Sequence, residues 1–175
     1  MDPEDSVHAG STGYDLSMSK EDHQEQTDVP TPQTIGATAS SGARILDPET
    51  AKAFAVQAAQ SLSDDKCTDV IVLDVTGVSP VTGYIVIGSG TSARQMRSAL
   101  QSIDELAHDL GTRAFAISAD EQALWLLADF VDVVVHLFEP NAREHYDLES
   151  LWSKGTRVQV PPSSRSTGND PRESE

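Results

Sequence analysis

Basic side chains are scarce in this sequence: 12 Lys and Arg stand against 28 Asp and Glu, a formal net charge of −16. A phosphate backbone is held mainly through Lys and Arg that displace counterions, so a chain this acidic is poorly equipped for nucleic acid. A basic protein is the better electrostatic match as a partner. Cysteine is nearly absent. Cys67 stands alone, which excludes an internal disulfide and fits a reducing compartment. No apolar run approaches the roughly 20 residues needed to cross a bilayer. The N-terminus has neither the apolar core of a signal peptide nor the Arg-rich, acid-poor character of a transit peptide. The expected location is the cytoplasm, with no membrane contact. Hydrophobic residues are also few, at 38%, so part of the chain is not expected to join a core.

The deficit is uneven. Residues 1–45 are rich in Ser, Thr, Gly, Gln, Asp and Glu and show no apolar period. They cannot bury enough apolar surface to offset about 1–2 kcal/mol per residue of backbone ordering, and are expected to be a disordered acidic arm. Residues 161–175 carry the same expectation. Between them, residues 46–160 hold seventeen acids and eight bases, so the expected single domain is acidic in its own right.

Asp47-Pro48-Glu49 is a helix start, followed by Ala51, Phe54, Ala55, Ala58 and Leu62 at helical spacing. Val70–Val75 and Tyr84–Ile87 are expected strands around a Gly77–Gly83 turn. Ser92 with Gln95 forms a capping box for a helix carrying Met96, Ala99, Leu100, Ile103, Leu106, Ala107 and Leu110, which Gly111 ends. Strands are expected at Arg113–Ser118, Leu124–Phe130 and Val133–Phe138, the last two as a hairpin, and a final helix at Arg143–Trp152. The order α-β-β-α-β-β-β-α predicts an α/β fold with an α+β tendency, a mixed sheet with packed helices.

Three patterns invite chemistry. Gly88-Ser89-Gly90-Thr91-Ser92 lies between a strand and a helix, where phosphate loops occur, but lacks the third glycine of the dinucleotide fingerprint and any Gly-Lys-Ser/Thr ending. A tight turn into a capped helix explains it better. Asp129 and Asp132 are three apart across a turn, whereas two acids on one strand face are two apart, so a metal pair is disfavoured and Asp132 reads as a turn residue. The five histidines fall on separate segments and form no ligand set, and no nucleophile has a plausible base nearby in sequence. A fourth pattern is the block Trp125–Trp152, which holds both tryptophans, Phe130, Phe138, Tyr146 and Arg143. Such residues make interface hot spots, but composition alone favours the simpler account, that they fill the core between the hairpin and the last helix.

This block also carries a resemblance. Residues 125–138, W-L-L-A-D-F-V-D-V-V-V-H-L-F, resemble the W-V-L-L-D-Y-G-D-V-V-V-H-I-F stretch of the ribosomal silencing factor (Iojap) family. Residues 143–152, R-E-H-Y-D-L-E-S-L-W, are similar to its closing R-E-x-Y-x-L-E-x-L-W. Asp69–Val75 and Tyr84–Ser92 match its D-V-V-V-L-D-V and Y-F-V-I-A-T-G-T-S. The match runs from about Asp47 to Val160. It implies a nucleotidyltransferase-like fold without the chemistry: no enzyme activity, no cofactor and no metal. It implies docking on the large ribosomal subunit through ribosomal protein L-fourteen, blocking the small subunit when nutrients are scarce, and a homodimer off the ribosome. The partner-binding residues it points to are Trp125, Leu127, Asp129, Phe130, Asp132, His136, Arg143 and Tyr146. A large-subunit assembly factor and a minimal nucleotidyltransferase are the alternative readings. Two positions depart from the pattern: Val131 replaces the usual Gly, so the hairpin is not expected to use a glycine-only conformation, and Gly83 replaces the usual Asp.

Overall fold

The computed structural model describes residues 43–120 and 122–163. The arm at 1–42 and the segment 164–175, both expected to be disordered, lie outside them. The first helix, α1 (Pro48–Asp64), starts as its sequence dictates: Asp47 accepts from the amides of Glu49 (3.1 Å) and Thr50 (3.0 Å), which would otherwise be orphaned in the first turn. Its buried face is Ala51, Phe54, Ala55, Ala58, Ala59 and Leu62. Two strands follow, β1 (Thr68–Asp74) and β2 (Tyr84–Ser89), and then helix α2 (Ala93–Asp109). The α2 cap is a variant of the expected box. Ser92 accepts from the Gln95 amide, but the Gln95 carboxamide reaches past Ser92 to the Thr91 amide at 2.8 Å. Its other end donates to the Asp65 carbonyl, tying the start of α2 to the end of α1.

Strands β3 (Ala116–Ala119), β4 (Trp125–Asp129) and β5 (Val133–Phe138) complete the central sheet. The expected last helix is broken into α3 (Pro140–Tyr146) and α4 (Leu148–Leu151), because Asp147 turns left-handed at φ +42°. An unexpected strand, β6 (Thr156–Val158), then pairs with β1. The sheet order is β3-β4-β5-β2-β1-β6, and β2–β5 is its one parallel pair. The fold is therefore α+β with a mixed six-stranded sheet.

Both sheet faces are covered at the centre, which is why all six residues of β2 are buried. On one face α1 and α2 pack against Val72, Val86, Leu126, Ala128, Val133, Val135 and Leu137. On the other, Ala142 of α3 and Leu148 of α4 cover Ile71, Leu73, Ile85, Ile87 and Phe138. The strand-to-helix glycines serve this packing. A Cβ on Gly90 would sit 2.4 Å from Cγ of the buried Met96 side chain. The segments flanking the elements also lie on the domain: the Arg44 amide donates to Thr112 Oγ1, and Gln60 donates to the Pro161 carbonyl at 2.8 Å.

The β4–β5 turn departs from expectation. Val131 adopts φ +73°, the left-handed conformation a β-branched residue was expected to avoid. The Asp132 amide closes a three-residue γ-turn on the Phe130 carbonyl at 3.0 Å. The turn is held from outside. Asp129 Oδ1 accepts from the Val131 amide at 2.7 Å, and the Asp132 carbonyl accepts from the amides of Gly83 and Tyr84 at 3.0 Å each. These bonds fix the left-handed residue against its own preference. Gly83, by contrast, needs no glycine: a Cβ there meets the Asp132 carbonyl at an ordinary 3.5 Å.

Candidate docking interface

Strand β4 alternates strictly. Leu126 and Ala128 are buried under the helices, while Trp125, Leu127 and Asp129 are half-buried on the opposite face. The register sets Trp125 opposite Phe138, Leu127 opposite His136 and Asp129 opposite Val134, and on the other side Ser118 opposite Leu127 and Ala116 opposite Asp129. Helices α3 and α4 close this face over β1, β2 and the end of β5, where Phe138 is buried. They leave Leu127 and Val134 outside both hydrophobic cores. The result is a half-open apolar patch, with Trp125 at the boundary between the covered and uncovered parts and Leu124, 36% exposed, at its rim.

Trp125 is the hub of an aromatic cluster. Its indole stacks on Phe138 (centroids 5.1 Å, planes 23° apart) and leans on Tyr146 of α3 at 4.8 Å. It donates from Nε1 to Nδ1 of His136 at 3.2 Å. His136 is buried, and burial pushes its pKa down to about 4, so the ring is neutral near pH 7. Burial also raises the Tyr146 hydroxyl above its usual value, with the Asp120 carboxylate adding to it.

The expected partner residues separate into three groups. Trp125, Leu127, Asp129 and Tyr146 are half-buried on or beside the open patch. Phe130 is a correction: its ring is fully buried on the helix face, edge-on to Phe54 at 5.1 Å, and offers no surface. His136 is likewise enclosed, meeting the surface only through Trp125. Asp132 and Arg143 are held by the protein itself. Asp132 Oδ2 accepts from the Leu46 amide at 2.7 Å. Arg143 donates from Nε (2.8 Å) and Nη2 (2.6 Å) to Glu149 and from Nη1 to Ser89 (3.0 Å), latching α3 and α4 to the end of β2. The sequence reading missed Val134, Ala116 and Ser118, although strand alternation from Leu127 and His136 assigns Val134 to the same face.

The geometry gives little to a nucleotide. The cleft beside the Gly88–Ser92 turn, about 430 Å³, is lined by Asp69, Ser89, Arg143, Glu144, Asp147 and Glu149. Its one cation is already neutralised by Glu149, and the remaining charges would repel phosphate. Among the described residues no group of three or more His, Cys, Asp or Glu side chains gathers for a metal. No helix among them is long and apolar enough to cross a membrane. Cys67 is buried, with its thiol pushed up to about 11 by burial and then by Asp65, so it is unreactive at neutral pH.

Comparison with known proteins gives the family. Residues 48–175 match the family described as "Ribosomal silencing factor during starvation". The ribosomal silencing factor of Bacillus subtilis is 35% identical over 95 residues, covering 54% of this chain and 80% of that one. "Mitochondrial assembly of ribosomal large subunit protein 1" of Mus musculus is 34% identical over 95 residues, covering 53% of this chain and 42% of that protein. A crystal structure of a Chromobacterium violaceum protein superposes with a TM-score of 0.55 at 27% identity, over 68% of this chain and 96% of that one. The names of these relatives describe regulation and assembly, not catalysis. With the family match spanning nearly three quarters of the sequence, the chain belongs to the ribosomal silencing factor family.

Proposed function

We propose that this protein is a translational repressor that docks on the large ribosomal subunit through ribosomal protein L-fourteen and sterically excludes the small subunit, chiefly under nutrient limitation. The observation that carries the reading is the half-open patch of Trp125, Leu127 and Val134, bordered by Asp129 and left bare by α3 and α4. Half-exposed aromatic and aliphatic side chains on rigid strands are what a protein partner buries, at about 800 Å² per side for a specific complex. Asp129 and the acidic composition of the domain suit a basic ribosomal protein, and the net charge of −16 holds the factor off rRNA. No reaction is needed. A subunit surface occupied by the factor is unavailable to the other subunit, and mass action sets the balance. Such a factor works in the cytoplasm, where subunits join, and the bare patch is also where two free copies would pair as a homodimer.

The test is sedimentation. The full chain should comigrate with purified large subunits in a sucrose gradient and lower the yield of joined ribosomes when small subunits are added. Leu127→Asp should weaken binding at least tenfold while leaving the melting temperature within a few degrees, because Leu127 belongs to neither core. Protein that stays at the top of the gradient with subunits in excess overturns the proposal.

The mouse relative's name favours a second reading, assembly of the large subunit, through the same patch. Accumulation of immature large subunits on depletion of the protein would select it. A minimal nucleotidyltransferase would instead show magnesium-dependent nucleotide binding by calorimetry.

A further inference from the structure

We infer that His136 is the positioning residue of the docking face: its Nδ1 fixes which edge of the Trp125 indole faces outward. The inference rests on the docking role proposed for Trp125. Stacking on Phe138 and Tyr146 sets the plane of the indole but not its orientation within that plane. A half-turn of the ring would exchange its N–H edge for its hydrocarbon edge and leave much of the stacking intact. The hydrogen bond removes this ambiguity, since one orientation alone brings Nε1 to 3.2 Å from His136 Nδ1.

The chemistry of the pair is one-sided. An indole N–H only donates, so Nδ1 must be the unprotonated nitrogen of a neutral imidazole whose hydrogen lies on Nε2. Everything around the ring keeps it so. His136 sits between Leu127 of β4 and Ile87 of β2 in register and lies parallel to Phe138 (8° between planes, 6.2 Å). At 7% exposure it has almost nothing to offer a partner directly. Its influence therefore passes through Trp125. Binding to an anchor already held in its bound orientation avoids the entropy of fixing it at the moment of contact.

The variants separate positioning from contact. His136→Asn places an amide oxygen where Nδ1 was and removes the Nε2 hydrogen. His136→Phe and His136→Gln remove the acceptor at the Nδ1 position, and the second guards against a folding failure of the first. The ¹⁵N-labelled full chain should show two indole N–H resonances, with Trp152 as the internal control. The Trp125 resonance should move in the Phe and Gln variants and stay near its place in the Asn variant. Affinity for purified large subunits should fall about five- to tenfold for Phe and Gln and stay within about twofold for Asn, the range of one hydrogen bond. If Trp125→Ala weakens binding but Phe and Gln bind as the parent does, the inference is wrong and the docking role stands. If Asn loses as much as Phe while the indole resonance is unmoved, His136 touches the partner itself and positioning is wrong. If Trp125→Ala binds as the parent does, the docking role fails and the inference falls with it.

Discussion

At the scale of single residues, two positions hold energy that the sequence pattern conceals. Val131 is held at φ +73° in a γ-turn fixed by Asp129 and by the strand it joins. A left-handed L-residue costs about 1–2 kcal/mol. Glycine would relieve that and give back about 0.5–1 kcal/mol in unfolded-chain entropy. Val131→Gly should thus stabilise the domain by about 1 kcal/mol, raising the melting temperature by about 4 °C in a calorimetric scan. An unchanged or lower melting temperature would mean the turn is not strained. His136 gives the second prediction. Its folded pKa of about 4 lies below the usual 6.5, so the unfolded chain takes up the proton first as pH falls. The contribution is intact above about pH 6.5 and is lost progressively down to about pH 4, by as much as roughly 3 kcal/mol. Urea titrations across that window should show a steeper loss for the parent than for His136→Phe, and parallel slopes would contradict the buried neutral histidine.

At the scale of elements, what was legible in the sequence was what is decided locally. The starts of α1 and α2 follow from Asp47 and Ser92, whose side chains cap the helices as read. The end of the domain was not legible for the converse reason. Thr156–Val158 has no apolar alternation and becomes a strand only because β1 offers a free edge. The Arg143–Trp152 helix breaks where Asp147 turns left-handed, and the two pieces are rejoined by Arg143 and Glu149. Phe130 was misplaced by the resemblance when parity already held the answer: it follows Leu126 and Ala128 on the even positions, and Trp125, Leu127 and Asp129 take the other face. The latch leads to a prediction. Arg143→Ala removes three hydrogen bonds between α3, α4 and β2, in a pair partly open to solvent, and should cost about 1–2 kcal/mol. Hydrogen exchange should speed up over residues 148–158 and stay as it was in α1 and α2. Uniform acceleration would show that the latch supports the whole fold and not this corner.

At the scale of the whole molecule, charge and shape divide the work. The apolar patch is one-sided, because α3 and α4 cover the rest of that sheet face, so in the proposed reading it is where the partner would sit. Charge, on the same proposal, would decide which partner is approached. A domain with seventeen acids and eight bases between residues 46 and 160 carries a net negative charge of its own. On a ribosome that charge opposes contact with rRNA and favours an exposed basic protein, so association should be steered more than held. The consequence is a salt dependence opposite in origin to that of an RNA-binding protein. At fixed magnesium, raising monovalent salt from about 0.05 to 0.3 M shortens the screening length from roughly 14 to 6 Å. The association rate with large subunits should fall several-fold over that range, with the dissociation rate changing little, since the proposed contact through Trp125 and Leu127 is apolar. Surface plasmon resonance on immobilised large subunits measures both rates. Association that quickens with salt would mean that repulsion from rRNA dominates the approach, and the acidic domain would then be a barrier that the docking patch has to overcome.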